Sequence, residues 1–189
     1  MDTHTATIAI IAFIFGILVG ALVISAIQQG RRKRLKEKFG PEYDRMVSTT
    51  GSRLEAEAVL EHRQKRVHQL HIRALTTAER SRFVEAWREI QTRFVDDPSG
   101  ALIEADRLVG EVMTAEGYPV LDFEQRAADI SVDHPVVTNN YREAHRMAVR
   151  NKEGNATTED LRKAMIHYRT LFDELTGHAD LVHAERTRL

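Results

Sequence analysis

The chain has 189 residues, 42% hydrophobic and 29% charged, a composition typical of a folded protein with enough chain for one ordinary domain. It contains no cysteine, which excludes disulfides, thiolate metal sites, a cysteine nucleophile and a lipidated cysteine. The formal net charge is −1, and from Phe39 onward 21 basic residues face 26 acidic ones, so the composition predicts no nucleic-acid binding.

A run of twenty uncharged residues, 8–27, follows a short tail formed by residues 1–7. A helix of this length is about 30 Å long, which is enough to cross the hydrocarbon core of a bilayer. We therefore predict one transmembrane helix at the N-terminus, with the tail on the extracytoplasmic side.

The charges on either side of the apolar run predict its orientation. No lysine or arginine precedes it, whereas six basic residues crowd the juxtamembrane segment 28–41, so the soluble domain is expected in the cytoplasm. The start lacks the basic region and cleavage site of a signal peptide, which favours a retained signal-anchor in the inner membrane; an exported or periplasmic protein is the alternative. The residues expected at the membrane surface, where they can also contact anionic lipids, are Arg31, Arg32, Lys33, Arg34, Lys36 and Lys38.

Three small residues in the apolar run, Ala12, Gly16 and Gly20, are spaced four apart and share one helix face. Small residues at this spacing allow two membrane helices to approach closely, which favours a homodimer. The alternative is that glycine and alanine are simply frequent in membrane helices.

The segment 42–75 is predicted to be a polar spacer between membrane and domain. Gly51 interrupts it, and the helix that follows carries only a thin apolar seam at Leu60, Val67 and Leu70. Such a seam is typical of a helix lying on the surface of a core or of a short coiled coil.

The segment 76–177 carries helix-start signals, each followed by an apolar stripe with helical spacing. The predicted starts are Thr76, Asp97, Asp122, Pro135, and Thr157 or Thr158. Trp87 lies in the first stripe and is expected in the core, and no stretch alternates as a strand would. We predict an all-α fold, with one N-terminal transmembrane helix followed by a compact soluble domain of five to six helices and a flexible tail over 178–189.

Polar residues are concentrated between positions 118 and 135, on short predicted elements. The candidate ligand or interaction residues are Tyr118, Asp122, Arg126, Asp129, Asp133 and His134. Carboxylates, an arginine and a histidine together can form a ligand or acid/base site. The alternative is structural: Asp122 caps one helix, Asp133 or His134 caps the next, and Arg126 pairs with Asp122 or Asp129.

The sequence predicts no metal site, no cofactor and no catalytic residue. His68 and His71 are spaced to reach one ion, but no third ligand accompanies them. Neither a nucleophile-elbow sequence nor a glycine-rich nucleotide-binding sequence occurs, so an enzyme is not the first expectation.

The segment from Arg93 to His145 contains the motifs RFVDDP, GYPV and DFEQRAADISVDHP. With these motifs it resembles a family of uncharacterised bacterial proteins, many with an N-terminal membrane segment. The resemblance extends more loosely to Glu159 to Leu175. It implies a bacterial source and a membrane-anchored helical architecture, and it implies no activity, cofactor or catalytic residue.

Two functions are left open by the sequence. The first is a membrane-anchored adaptor or scaffold whose helical domain binds another protein. The alternative is a small-ligand sensor or enzyme that uses the polar region from Tyr118 to His134.

Overall fold

The computed structural model describes residues 3–119 and 122–177, with side chains described from residue 13 onward. Within those residues it contains eight α-helices and no strand. The helices are α1 Thr3–Phe39, α2 Pro41–Thr50, α3 Arg53–Val67, α4 Thr77–Arg93, α5 Pro98–Glu116, α6 Phe123–Asp133, α7 Pro135–Lys152 and α8 Thr158–Thr176. The all-α prediction is confirmed. The count of five to six was too low, because seven helices follow α1.

Helix α1 runs without interruption from the predicted tail through the basic segment. Within the stretch Phe13–Phe39, an 18-residue window has a mean hydropathy of 1.9 and no buried residue, so this helix is long and apolar enough to cross a membrane. A side chain added at Gly16 or Gly20 would meet no described atom, so that face is open to a neighbour. The side chain of Ala12 lies outside the described residues, as does the tail predicted over 178–189.

The helix boundaries follow the local signals in the sequence. Thr76 forms a complete capping box with Glu79, as predicted, and Thr157 forms one with Asp160. The Asp97 carboxylate accepts from the Gly100 amide at 2.9 Å, with Pro98 in the first turn. Gly51 ends α2 with a φ of 68°, a left-handed conformation that glycine adopts without the usual steric cost, which explains why the 42–75 segment is two helices.

The larger of two hydrophobic clusters is formed mainly by α4, α5, α7 and α8, which we call the distal bundle. Trp87 of α4 is buried and stacks on Phe172 of α8, with 4.8 Å between ring centroids. The prediction that Trp87 lies in the core is confirmed. The predicted apolar stripes supply most of this cluster, since each stripe faces the centre of the bundle.

The smaller cluster joins the end of α1 to α2 and α3, and we call these three elements the membrane-proximal layer. Leu35 and Phe39 of α1 pack with Tyr43 and Leu60, and Val132 of α6 completes the cluster. The layer also contacts α6 and α7. The 42–75 segment therefore lies on the folded domain, and the apolar helix joins that domain without a linker.

Candidate functional site

The residues predicted as a site from the sequence lie on and around α6. Asp122 caps this helix, since its Oδ1 accepts from the Gln125 amide at 2.9 Å. The prediction that Asp122 is a helix cap is confirmed.

Asp129 joins α6 to α3. It is fully buried, and its two oxygens accept from Nε and a terminal nitrogen of Arg66, both at 2.9 Å. Gln125 donates a third hydrogen bond at 2.8 Å. The bond to Asp129 raises the pKa of Arg66. The predicted pairing of Arg126 with Asp122 or Asp129 is wrong. Arg66, which lies 63 positions before Asp129, is the arginine that pairs with Asp129.

Tyr118 and Asp133 pair with each other, with the phenol hydroxyl donating to the carboxylate at 2.9 Å. Burial, together with the Asp133 charge, raises the pKa of Tyr118. His134 lies 3.1 Å from a carboxylate oxygen of Glu174, measured from Nδ1. His134 precedes α7, but this helix has no side-chain cap, so the predicted cap by Asp133 or His134 is absent.

Arg126 points away from these pairs, towards α5 and α7. Its guanidinium lies over the ring of Tyr141, 5.9 Å from the centroid, and a Cβ on Gly110 would lie 3.2 Å from one of its nitrogens. The six predicted residues therefore form separate contacts and do not line one pocket.

A second polar cluster surrounds Arg126. Nε of Arg126, the hydroxyl of Tyr141 and Nδ1 of His145 are buried, and none has a hydrogen-bond partner in the part of the chain that the structure describes. Phe123 stacks on His145 with 3.6 Å between ring centroids, and burial lowers the pKa of the imidazole. Sequence reasoning missed Tyr141, because it occupies an apolar stripe position.

Glu116, at the end of α5, was also missed. Only 7% of its surface is exposed, and its Oε2 has no partner among the described residues. Burial is the main cause that raises the pKa of Glu116 to about 7. The positive charge of Arg73 acts to lower this pKa, and the negative charge of Asp133 acts to raise it.

The largest charge network centres on Glu42, whose buried carboxylate accepts from three arginines on three helices. The nitrogen-to-oxygen distances are 2.9 Å from Arg45, 2.8 Å from Arg63 and 2.9 Å from Arg142. Burial raises the pKa of Glu42, but the hydrogen bonds and charges of these arginines outweigh burial and hold the pKa below its usual value. The network fixes α2 against α3 and α7.

An open groove of about 580 Å³ separates the outer faces of α3 and α6, and we call it the α3–α6 groove. It is lined by Glu55, Ala58, Val59, His62, Arg63, Arg66, Asp122, Glu124, Gln125 and Ala128. Of the six residues predicted as a site, Asp122 reaches this groove, and Asp129 contacts two of its lining residues.

Comparisons of the chain with models of protein families, with curated proteins and with solved structures found no match. Function is therefore inferred from the geometry.

The charges around the α3–α6 groove are unequal in availability. Arg63 and Arg66 are held by Glu42 and Asp129. Glu55 is exposed on the rim and forms no ion pair with a described residue, whereas the exposed Glu124 also meets Arg142 at 3.3 Å and Asp122 caps α6. Within the described residues, no group of three histidine or acidic side chains could hold a metal ion. The groove therefore offers small apolar side chains with an acidic rim, an arrangement that suits a positively charged partner.

Proposed function

We propose that this chain is a single-pass membrane-anchored adaptor whose α3–α6 groove binds a segment of another protein at the cytoplasmic face of a bacterial inner membrane. The observation that carries the proposal is the groove itself, which is open, has a small apolar floor and lies on the folded domain. The length and apolar composition of α1 support the anchor, and the basic residues that follow it support the cytoplasmic placement.

The floor and rim of the groove specify the kind of segment that binds. Ala58, Val59 and Ala128 leave room for a helix to approach closely, with its apolar face on the floor. The exposed Glu55, and Glu124 with the part of its carboxylate that Arg142 leaves open, favour lysine or arginine at the edges of that face. The proposed ligand is thus a basic amphipathic helix of the partner.

The walls of the groove are held in place before the partner arrives. Arg66 and Asp129 tie α3 to α6, and Arg63 and Glu42 tie α3 to α2. Preorganised walls reduce the entropy that is lost on binding, so a modest contact area suffices for a specific complex.

Photo-crosslinking in native membranes tests the groove. A photoreactive amino acid at His62, on the groove, is compared with one at Thr92, which is exposed on α4. We expect a discrete protein adduct from position 62 alone. Ala58→Arg, at an exposed position on the floor, is expected to abolish it, whereas Thr92→Arg is expected to leave it unchanged.

Equal adducts from positions 62 and 92, or an adduct that persists in Ala58→Arg, would contradict docking in the groove. An adduct with the mass of a second copy would replace the adaptor proposal with self-association.

The cytoplasmic placement has a separate test. A C-terminal epitope is exposed to protease in intact and in permeabilised spheroplasts. We expect the epitope to survive until the membrane is permeabilised. Cleavage in intact spheroplasts would place the domain outside the cytoplasm and would contradict the orientation taken from the basic residues.

Small-anion sensing is the second candidate function, favoured by the buried polar atoms of Arg126, Tyr141 and His145 that have no partner within the described chain. Because burial without a partner is costly, an anion that accepts from these groups would stabilise the fold. Inorganic phosphate and acetate are the probes. An anion-induced rise in Tm that is lost in Tyr141→Phe, but kept in Tyr43→Phe, would support sensing; no rise in the parent protein would exclude these anions as ligands.

A further inference from the structure

A cavity of about 310 Å³ lies between α1 and the start of α3, on the membrane side of the domain, and we call it the α1–α3 cavity. It is lined by Ser25, Gln28, Gln29, Arg31, Arg32, Arg53, Leu54 and Glu57. Ser25 belongs to the apolar run and Gln28 follows that run directly. The cavity therefore lies at the level where α1 leaves its apolar part.

The fold brings α3 back to this level. Helix α2 returns along α1 from the turn at Gly40, and Lys36 contacts Asp44 across that turn at 3.4 Å. Helix α3 then follows α1, with a terminal nitrogen of Arg31 2.6 Å from the Glu61 carboxylate. As a result, the first residues of α3 lie beside the end of the apolar run.

The charge available in the cavity is positive. Arg31 is engaged by Glu61, whereas neither Arg32 nor Arg53 forms an ion pair with any described residue. Glu57 is the opposing carboxylate, and it is buried and accepts from the Tyr43 hydroxyl at 2.8 Å. Arg32 also interacts with the Tyr43 hydroxyl, but no carboxylate among the described residues neutralises either exposed guanidinium group, so both can meet one anion.

Leu54 supplies an apolar contact at the same place. It follows Arg53 directly, and 70% of its surface is exposed. A single exposed leucine on a soluble surface needs no explanation. At the end of a membrane span, beside two unpaired arginines, a leucine has the position of a side chain that enters the lipid boundary.

We propose that the α1–α3 cavity binds the phosphate-bearing headgroup of an anionic phospholipid. Arg32 and Arg53 donate to the phosphate oxygens from opposite walls, since a planar guanidinium matches a phosphate in a two-bond geometry. Leu54 contacts the upper acyl chain. The site needs the membrane anchor of the proposed function but is independent of the α3–α6 groove.

The site differs from a diffuse attraction between the basic segment and the membrane. Arg34 is exposed on the same stretch of α1 but lines a separate cavity, together with Glu61 and His68. Loss of Arg34 removes the same charge as loss of Arg53, from a position outside the α1–α3 cavity. The two substitutions therefore separate a defined site from general surface charge.

The test uses the full chain in nanodiscs of phosphatidylcholine, with or without phosphatidylglycerol. After mild release, native mass spectrometry counts the phosphatidylglycerol molecules that stay bound. We expect one retained lipid in the parent protein and roughly tenfold weaker retention in Arg53→Gln, because two charge-assisted hydrogen bonds are lost. Arg34→Gln is expected to retain the lipid as the parent does. Unchanged Tm values in both variants show that the fold is intact.

Equal loss of lipid in Arg34→Gln and Arg53→Gln, or no retained lipid in the parent protein, would overturn the site. Displacement of the lipid by inorganic phosphate would identify a site for a soluble anion instead. Failure to enter phosphatidylcholine discs at all would show that the membrane anchor itself is wrong, which distinguishes that outcome from failure of the lipid site.

Discussion

The distal bundle and the membrane-proximal layer are held together by different forces. In the distal bundle, wide apolar stripes meet in one large cluster around Trp87 and Phe172. In the layer, the apolar cluster is small, and a buried Glu42 with three arginines holds the helices in register. Apolar burial tolerates many sequences, whereas a buried ion network works with one arrangement of partners. The two regions should therefore respond differently to the same kind of damage.

Phe172→Ala is expected to have the largest effect, and to act on the distal bundle. The ring is almost fully buried on Trp87, so its removal leaves a cavity and costs about 3–5 kcal/mol in the free energy of unfolding. Hydrogen exchange in detergent micelles measures where protection is lost. We expect α4 and α8 to lose more than α2 and α3, and Val95→Ala, at a strongly exposed position, to change little.

Equal loss of protection in both regions would mean that the distal bundle and the membrane-proximal layer unfold as one cooperative unit. The two regions would then differ in their contacts but not in their local stability.

Glu42→Gln is expected to act on the membrane-proximal layer. It leaves three arginine charges around a neutral side chain, and removal of one partner from a buried network costs about 3 kcal/mol. Protection should fall in α2 and α3 first. Glu55→Gln, which removes an exposed carboxylate from α3, is the matched control and should change stability little.

The pH dependence of the parent protein should agree with this assignment. Because the folded pKa of Glu42 is lowered, its stabilising contribution is present above the unfolded pKa and is lost as the pH falls through the folded value. Glu42→Gln should reduce this loss of stability at low pH, which is the acid limb of the plot of stability against pH. An unchanged acid limb would show that the network does not hold the layer.

Glu116→Gln is expected to have the smallest effect, with the opposite sign. The folded pKa of about 7 exceeds the ordinary 4.5, so the folded state holds the proton more tightly and stability falls as the pH rises from 4.5 to 7. Glutamine removes the buried charge and should raise the free energy of unfolding by roughly 1–3 kcal/mol at pH 8, with little change at pH 4. Urea titrations at the two pH values measure the difference.

Glu111→Gln, on the exposed side of the same helix, serves as the control. A stabilisation of Glu116→Gln that is equal at both pH values would show that packing, and not the charge, is responsible.

The sequence predicted what is local along the chain. The caps at Thr76, Asp97 and Asp122 were predicted correctly, because a cap and its target amide lie three residues apart. The stripe through Trp87 was found because helical spacing repeats every three or four residues.

Contacts between distant positions were not predictable in this way. Arg142 meets Glu42 from 100 positions away, and Arg66 takes the partner that local spacing assigned to Arg126. Sequence spacing predicts a pair between an arginine and an aspartate that lie within four residues of each other. Tertiary packing decides whether a distant arginine pairs with that aspartate instead. The candidate groove was invisible for the same reason, since its two walls lie on helices far apart in the sequence.

Because α1 is continuous, it holds the folded domain at a fixed distance from the end of the apolar run. From the end of the apolar run to Phe39 a helix rises about 18 Å, and this stretch is clamped to α2 and α3. A domain on a flexible linker moves freely relative to its membrane helix, whereas this domain is rigidly attached to α1. Where α1 crosses a bilayer, any tilt of the span turns the α3 wall of the groove with it, so a segment docked there as proposed would lie close to the membrane surface.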